Sequence, residues 1–228
     1  MEITAERSRW RLRAPEMEGP IARWYARLRG SAEQLEAWRK EAALLTRGLP
    51  DGAEVLEVAP GPGYLAIEMA RPGRLVVTGL DISHTFVEIA KDKARKADVA
   101  VEFRQGDVSA MPFPDASFDL VVCQAAFKNF TRPATALAEM HRVLRPGGTA
   151  VIQDMSHDAT HAEIDREVRG MGLNRFTRFT TRTTLEMLRR RAYTPAQFRE
   201  LAAASPFGGC EIETQGIGLE VRLKSVAA

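Results

Sequence analysis

From residue 53 to residue 155 the chain alternates short, β-branched, apolar runs with longer amphipathic ones, and this rhythm restricts the fold more than any other feature. It predicts strands over 53–59, 74–81, 99–105, 117–123 and 148–155, with helices over 63–71, 84–97 and 132–144 between them. Short apolar strands separated by helices form a parallel sheet covered on both faces, because each crossover helix must bury its apolar stripe against the sheet. The expected class is α/β, doubly wound and mostly parallel.

Two segments interrupt the rhythm. Residues 16–47 place Ile21, Trp24, Tyr25, Leu28, Leu35, Trp38, Leu44 and Leu45 about three or four apart, which predicts two amphipathic helices broken around Arg29–Gly30–Ser31. Residues 157–192 read as an insertion with helices near 159–171 and 182–191, its arginines interleaved with Met171, Leu173, Phe176, Phe179, Leu185 and Met187. Those arginines form either an acidic-substrate pocket with apolar walls or the solvated face of a helical lid. After Thr194–Pro195 a helix runs to Ala204, and CEIETQGIGLEVRLK reads as two strands meeting at Gly216 to Gly218. At 228 residues the chain suits a single domain: an N-terminal cap over 16–47, a core over 54–155, a lid over 157–192, and a last helix and hairpin over 195–224.

Charge and cysteine content narrow the function. Lys plus Arg is 32 against 30 Asp plus Glu, and a net charge of +2 gives no general attraction to nucleic acid or to membrane. Cys123 and Cys210 are the only cysteines, without a CxxC or a histidine cluster, so neither a disulfide framework nor a zinc site is expected. MEITAERSRWRLRAPEME at the N-terminus has no apolar core, and nowhere do roughly 18 apolar residues run together as a membrane span requires. A soluble, cytoplasmic protein without membrane insertion is expected.

The most informative stretch is EVLEVAPGPGYLAIEMA, residues 54–70, where Pro60, Gly61, Pro62 and Gly63 separate strand from helix. In a parallel sheet the first such turn lets the backbone approach a ligand at the carboxyl ends of the strands. Gly61, Gly63 and Ala66 also satisfy a relaxed dinucleotide fingerprint, and a tight turn without any ligand has the same composition. Asp81 closes the second strand where an acid can accept from ribose hydroxyls, or can cap the helix beginning near Ser83. Asp107 follows the third strand, where its carboxylate and the next N–H can read an adenine edge or close an Asx-turn. Glu57 sits inside the first strand, and a buried carboxylate there needs donors or a positive ligand. A sulfonium amino acid supplies both an ammonium and a second positive charge.

Taken together these segments resemble the class I S-adenosylmethionine-dependent methyltransferases. EVAPGPG matches the glycine-rich motif, LDIS the ribose acid, GDVSAMPFPDASFDLVV the adenine loop and fourth strand, and MHRVLRPGGTAVIQD the helix leading to the fifth strand. They cover residues 54–154 in order. The resemblance implies a seven-stranded sheet ending in the 208–224 hairpin, with S-adenosyl-L-methionine as cofactor and S-adenosyl-L-homocysteine as product. It also implies similarity to the small-molecule enzymes of ubiquinone and menaquinone biosynthesis. Carried onto this chain, Glu57, Ala59, Gly61, Gly63 and Gln124 hold the methionine part, Asp81 and Ile82 the ribose, and Asp107 and Val108 the adenine. Ala59 stands where the family usually has its first glycine.

A nicotinamide-dependent dehydrogenase of the short-chain type needs Tyr-x-x-x-Lys, but Tyr25, Tyr64 and Tyr193 are followed four residues on by Arg, Glu and Gln. A catalytically silent cofactor-binding or partner protein keeps the same motifs and is separated only by turnover. Methyl transfer is an in-line displacement that positioning and desolvation can accelerate without a general base. His157, beyond the fifth strand, is the base candidate for an acceptor that must lose a proton, or else a loop histidine capping the next helix. Phe127, Lys128 and Asn129 occupy the place where related enzymes carry paired histidines, and Lys128 alternatively reads as a solvated lysine. With Tyr25, Phe176 and Phe179 they are the candidates lining the acceptor, a small molecule rather than nucleic acid. No metal is expected, and the apolar N-terminal helices suggest a possible homodimer.

Overall fold

The computed structural model describes residues 17–226. Most of the N-terminal stretch read as lacking an apolar leader, including Glu16 at the start of the predicted cap, lies outside the described residues. Two helices lead in, α1 (Gly19–Leu28) and α2 (Ala32–Leu45), followed by β1 (Glu54–Val58), α3 (Tyr64–Ala70), β2 (Val76–Asp81), α4 (His84–Ala97) and β3 (Glu102–Gln105). β4 (Phe118–Gln124), a 3-10 turn at Phe127–Asn129, α5 (Pro133–Val143) and β5 (Leu144–Met155) complete the core. The insertion is α6 (His161–Gly170) and α7 (Arg175–Arg189), and α8 (Pro195–Ala203), β6 (Glu211–Gln215) and β7 (Gly218–Lys224) close the chain.

The strands form one seven-stranded sheet in the order β3-β2-β1-β4-β5-β7-β6. Pairing is parallel from β3 to β5, and β7 runs antiparallel to both β5 and β6. The order reverses between β1 and β4, so the crevice beyond their carboxyl ends is the ligand position of a doubly wound sheet. Alternate residues of each strand feed opposite cores. Val55, Leu120, Val122 and Val151 pack under α2, α3 and α4 with Leu45, Leu65, Met69 and Val87. Leu56, Val58, Val121, Cys123 and Ile152 pack on the other face with Leu137, Met140 and Phe198.

Helix starts follow local chemistry. Ser83 caps α4 by accepting from Phe86 N at 3.0 Å, Thr160 with Glu163 and Thr194 with Gln197 form capping boxes, and Pro195 opens α8 as predicted. Three boundaries differ from expectation. β3 is confined to Glu102–Gln105, β5 begins at Leu144 directly from α5, and the helix expected near 182 begins at Arg175. That early start comes from Asn174, whose side chain accepts from Thr177 N at 3.0 Å. The first turns of α7 were illegible because Arg175–Thr184 contains three arginines and five threonines and buries nothing.

Three residues of the β1–α3 turn adopt positive φ: Ala59 (54°), Gly61 (55°) and Gly63 (78°). At Gly63 the conformation is compounded by packing, since a Cβ there would stand 2.7 Å from Phe103 Cζ and 2.8 Å from Ala90 Cβ. Gly63 therefore seats α3 against α4 and β3. Ala59 holds the left-handed conformation with a Cβ, at a cost of about 1 kcal/mol. Urea denaturation should accordingly find Ala59→Gly more stable by about 1 kcal/mol, and Gly63→Ala less stable by about 2–4 kcal/mol. Equal midpoints for both variants and the parent would refute this reading of the turn.

Candidate active site

Asp81 sits at the carboxyl end of β2 and is 5% exposed. Its Oδ2 accepts from Gly61 N and its Oδ1 from Ser83 N, both at 2.8 Å, so one carboxylate ties the β1–α3 turn to the β2–α4 turn. Burial raises its pKa above the ordinary carboxylate range, against the lowering by these amides. Ser83, not Asp81, caps the helix. The N-terminal segment closes over the same two turns: Ser83 Oγ donates to Met17 O at 2.7 Å, Gly19 N to Thr85 Oγ1 at 3.0 Å, and Thr85 N to Glu18 at 3.0 Å. Tyr64 Oη donates to Ala26 O at 2.7 Å, and Tyr25 meets Phe86 edge-on with centroids 5.9 Å apart. Gly30, at the break between α1 and α2, is required by that approach, because a Cβ would lie 2.3 Å from Tyr64 Oη.

Glu57 is 3% exposed, opposite Gly79 of β2 and Val122 of β4, and its Oε2 has no hydrogen-bond partner. Desolvation pushes its pKa from the ordinary 4.5 to about 8, opposed by the Ala66 amide and reinforced by nearby Asp81. A buried, unpartnered carboxyl oxygen is costly, and a ligand cation would offset that cost.

The other cofactor candidates occupy adjoining strand ends. Asp107 accepts from Ser109 N at 2.8 Å, an Asx-turn, and pairs with Arg132 at 2.8 Å. Burial acts against its ionisation, but Ser109 and Arg132 outweigh it and hold the carboxyl below its usual range. Arg132 was not anticipated. Val108 is half-buried beside it, while Ile82 is 69% exposed. Gln124 ends β4 and donates to Gln153 Oε1 at 3.0 Å; Gln153 Nε2 donates in turn to Glu41 of α2 at 2.5 Å and Glu220 of β7 at 2.8 Å. This chain fastens α2 to the sheet beside Gln124, a link with no local sequence signal because its members lie on four separate elements.

On the acceptor side the structure redistributes roles. Phe127 has no exposed surface and packs among Phe130, Tyr193 and Phe198 with centroids 5.0–5.6 Å apart, so it is core and not lining. Lys128 is not solvated: its Nζ donates to Asp154 Oδ1 at 2.7 Å and Ala125 O at 2.5 Å, and its amide to Asp154 Oδ2 at 2.9 Å. Both side chains of this pair are buried, and truncating one partner of such a pair leaves an uncompensated charge. Asn129, on the same turn, is exposed. His157 follows β5 with its side chain 46% exposed and Nδ1 3.6 Å from Asp158 Oδ1. The α6 cap is Thr160, so His157 is not the capping residue. Phe176 and Phe179 lie on α7, 77% and 68% exposed. The buried Cys123 thiol is pushed far up by desolvation and serves as core, not nucleophile. Among the described residues no group of three or more His, Cys, Asp or Glu stands together as metal ligands do.

Residues 56–152 match the family model described as a methyltransferase domain. That segment runs from β1 to β5 and carries the parallel part of the sheet and the crevice set out above. In sequence the chain is similar to a demethylmenaquinone methyltransferase of Deinococcus radiodurans, 37% identical over 54% of this chain and 51% of the relative. It is also similar to the ubiquinone/menaquinone biosynthesis C-methyltransferase UbiE of Geobacter sulfurreducens, 37% identical over 52% of this chain and 48% of the relative. The chain thus spans about half the length of the curated relatives it matches. In fold it is like a SAM-dependent methyltransferase of Aquifex aeolicus, with TM-score 0.67 at 18% identity over 89% of this chain and 98% of that one.

The donor set fits S-adenosyl-L-methionine. Glu57 offers an oxygen in need of a cation, and each Asp81 oxygen keeps a lone pair after accepting its amide. Without a ligand, the raised Glu57 pKa makes the folded state bind a proton that the unfolded state releases between pH 4.5 and about 8. Stability must therefore fall as pH rises through that window, by up to about 1.4 kcal/mol per pH unit. Denaturant unfolding of the ligand-free protein across the window should show this decline, and Glu57→Gln should flatten it. An unchanged slope in the variant would mean that the Glu57 carboxyl is already ionised in the fold.

Proposed function

We propose that the chain is an S-adenosyl-L-methionine-dependent methyltransferase of a small, planar acceptor. The observation that carries this is the unpartnered Glu57 oxygen in the same crevice as the Asp81 tie and the Asp107 turn. The cofactor, when bound, supplies a methyl group on a sulfonium ready for in-line displacement. Glu57 meets its ammonium, Ala59 to Gly63 cradle its methionine part with Gln124, Asp81 beside Ile82 takes its ribose hydroxyls, and Asp107 with Val108 reads its adenine. Tyr25 and the start of α1, fastened over the β1 and β2 turns, exclude water from the nucleoside side.

The names of the two relatives speak for a quinone-type acceptor methylated at carbon. At an electron-rich aromatic carbon the displaced ring proton must leave, and His157, exposed just beyond β5, is placed to take it. Lys128 and Asp154 fix the β4 and β5 ends behind the acceptor space, and Asn129 is left to line it, since Phe176 and Phe179 stand exposed on α7. No helix among the described residues is long and apolar enough to cross a membrane. Two free cysteines favour a cytoplasmic setting, and the exposed Ile21, Trp24 and Leu28 of α1 favour a homodimer over nucleic acid as the partner.

Titration calorimetry tests the cofactor site. S-adenosyl-L-methionine should bind and nicotinamide dinucleotides should not. Near pH 7 the bound ammonium should drive close to one proton off Glu57, seen as a buffer-dependent enthalpy that Glu57→Gln abolishes. Asp81→Asn should weaken binding by about 1.5–3 kcal/mol. Tight dinucleotide binding without response to the sulfonium cofactor would overturn the proposal.

A further inference from the structure

We infer that α7 is a membrane-surface helix that docks the protein on an anionic lipid bilayer. Residues 175–191 carry six arginines and one acid, Glu186, in a chain whose net charge is +2. Glu186 is occupied, paired with Arg189 at 3.1 Å and hydrogen-bonded to His161. Arg182 pairs with Asp165 of α6 at 2.9 Å. Among the described residues no carboxylate pairs with Arg175 or Arg178, and the Arg178 guanidinium donates only to Leu173 O at 3.3 Å. Arg175, Arg178 and Arg182 recur at helical spacing and, with Phe179 and with Asp165, Val168 and Arg169 of α6, bound a cleft of about 280 Å³ in which the one acid, Asp165, is taken up by Arg182.

Beside that stripe runs an apolar one. Phe176, Phe179 and Met187 are 77%, 68% and 62% exposed, and Met171 just before the helix is 44% exposed. α7 buries none of its residues fully, and it is held to the protein by the partly buried Leu185 and Leu188 near its C-terminal end, packed with Ile164 and Val168, and by the contacts of Arg182 with Asp165, Glu186 with His161 and Arg189 with His157 O. The N-terminal half is therefore presented outward, with phenylalanines and arginines on adjoining faces. A helix of 15 residues is about 22 Å long, too short to span a bilayer, and lies in the plane of the surface. There the guanidinium groups meet headgroup phosphates while Phe176, Phe179 and Met187 enter the acyl boundary, which satisfies both stripes at once. Single-stranded RNA would engage the arginines and aromatics but leave the methionine surface exposed. Surface docking stands apart from the methyl-transfer reading, since binding alone decides it.

Flotation of the full chain with vesicles of phosphatidylcholine, with and without phosphatidylglycerol, tests the inference. Binding should require phosphatidylglycerol and fall with salt. Arg175→Gln with Arg178→Gln should reduce partitioning about fivefold per arginine, and Phe176→Ser with Phe179→Ser about tenfold or more. Circular dichroism should show both variants folded, as expected at exposed positions. Failure to float with anionic vesicles, binding that survives loss of both phenylalanines, displacement by free glycerol phosphate, or retention on single-stranded RNA in place of vesicles would each overturn it.

Discussion

The crevice depends on one carboxylate. Asp81 accepts the Gly61 and Ser83 amides together, and this fixes the distance between the two turns that a nucleoside-bearing ligand must bridge. A parallel sheet brings the strand ends side by side, but each turn is free to splay unless something spans them. Burial makes the tie strong because no water competes, and the same burial raises the cost of ionising Asp81 without its two donors. The N-terminal segment adds a second layer through Ser83, Thr85 and Tyr64. Position and closure of the crevice therefore come from the same few residues.

Two buried acids near the strand ends have opposite fates. Asp154 is fully satisfied by Lys128 and by backbone amides, and this joins the β5 end to the turn after β4. Glu57 keeps an oxygen without a partner. One is a structural ion pair and the other an unmet need for positive charge. The proposed ligand role of Glu57 rests on this contrast more than on acidity itself, and Asp154 belongs to the scaffold.

Much of this was legible in the sequence. The strand–helix rhythm of 53–155 led to the observed sheet, and the glycine turn, Asp81 and Asp107 lie at neighbouring strand ends as their spacing implied. Tertiary partners were less legible. Lys128 and Phe127 read as lining because nothing local announces Asp154 or the Phe198–Tyr193 stack that claim them. Gln153 joins its own strand to residues of three other elements, and Arg132 reaches Asp107 across a gap of 25 positions. The start of α7 was hidden for a different reason, since first turns that bury no side chain fully show no apolar stripe facing a core.

A crystal structure with S-adenosyl-L-homocysteine tests the central claim most directly, since the product keeps the amino group and the ribose while removing the reactive methyl. The ligand amino group should lie within hydrogen-bond distance of Glu57 Oε2, and the ribose hydroxyls should reach Asp81 without breaking its bonds to Gly61 and Ser83. A ligand bound elsewhere, or one seated in the crevice with Glu57 Oε2 still unpartnered, would contradict the assignment of that carboxylate and the site built around it.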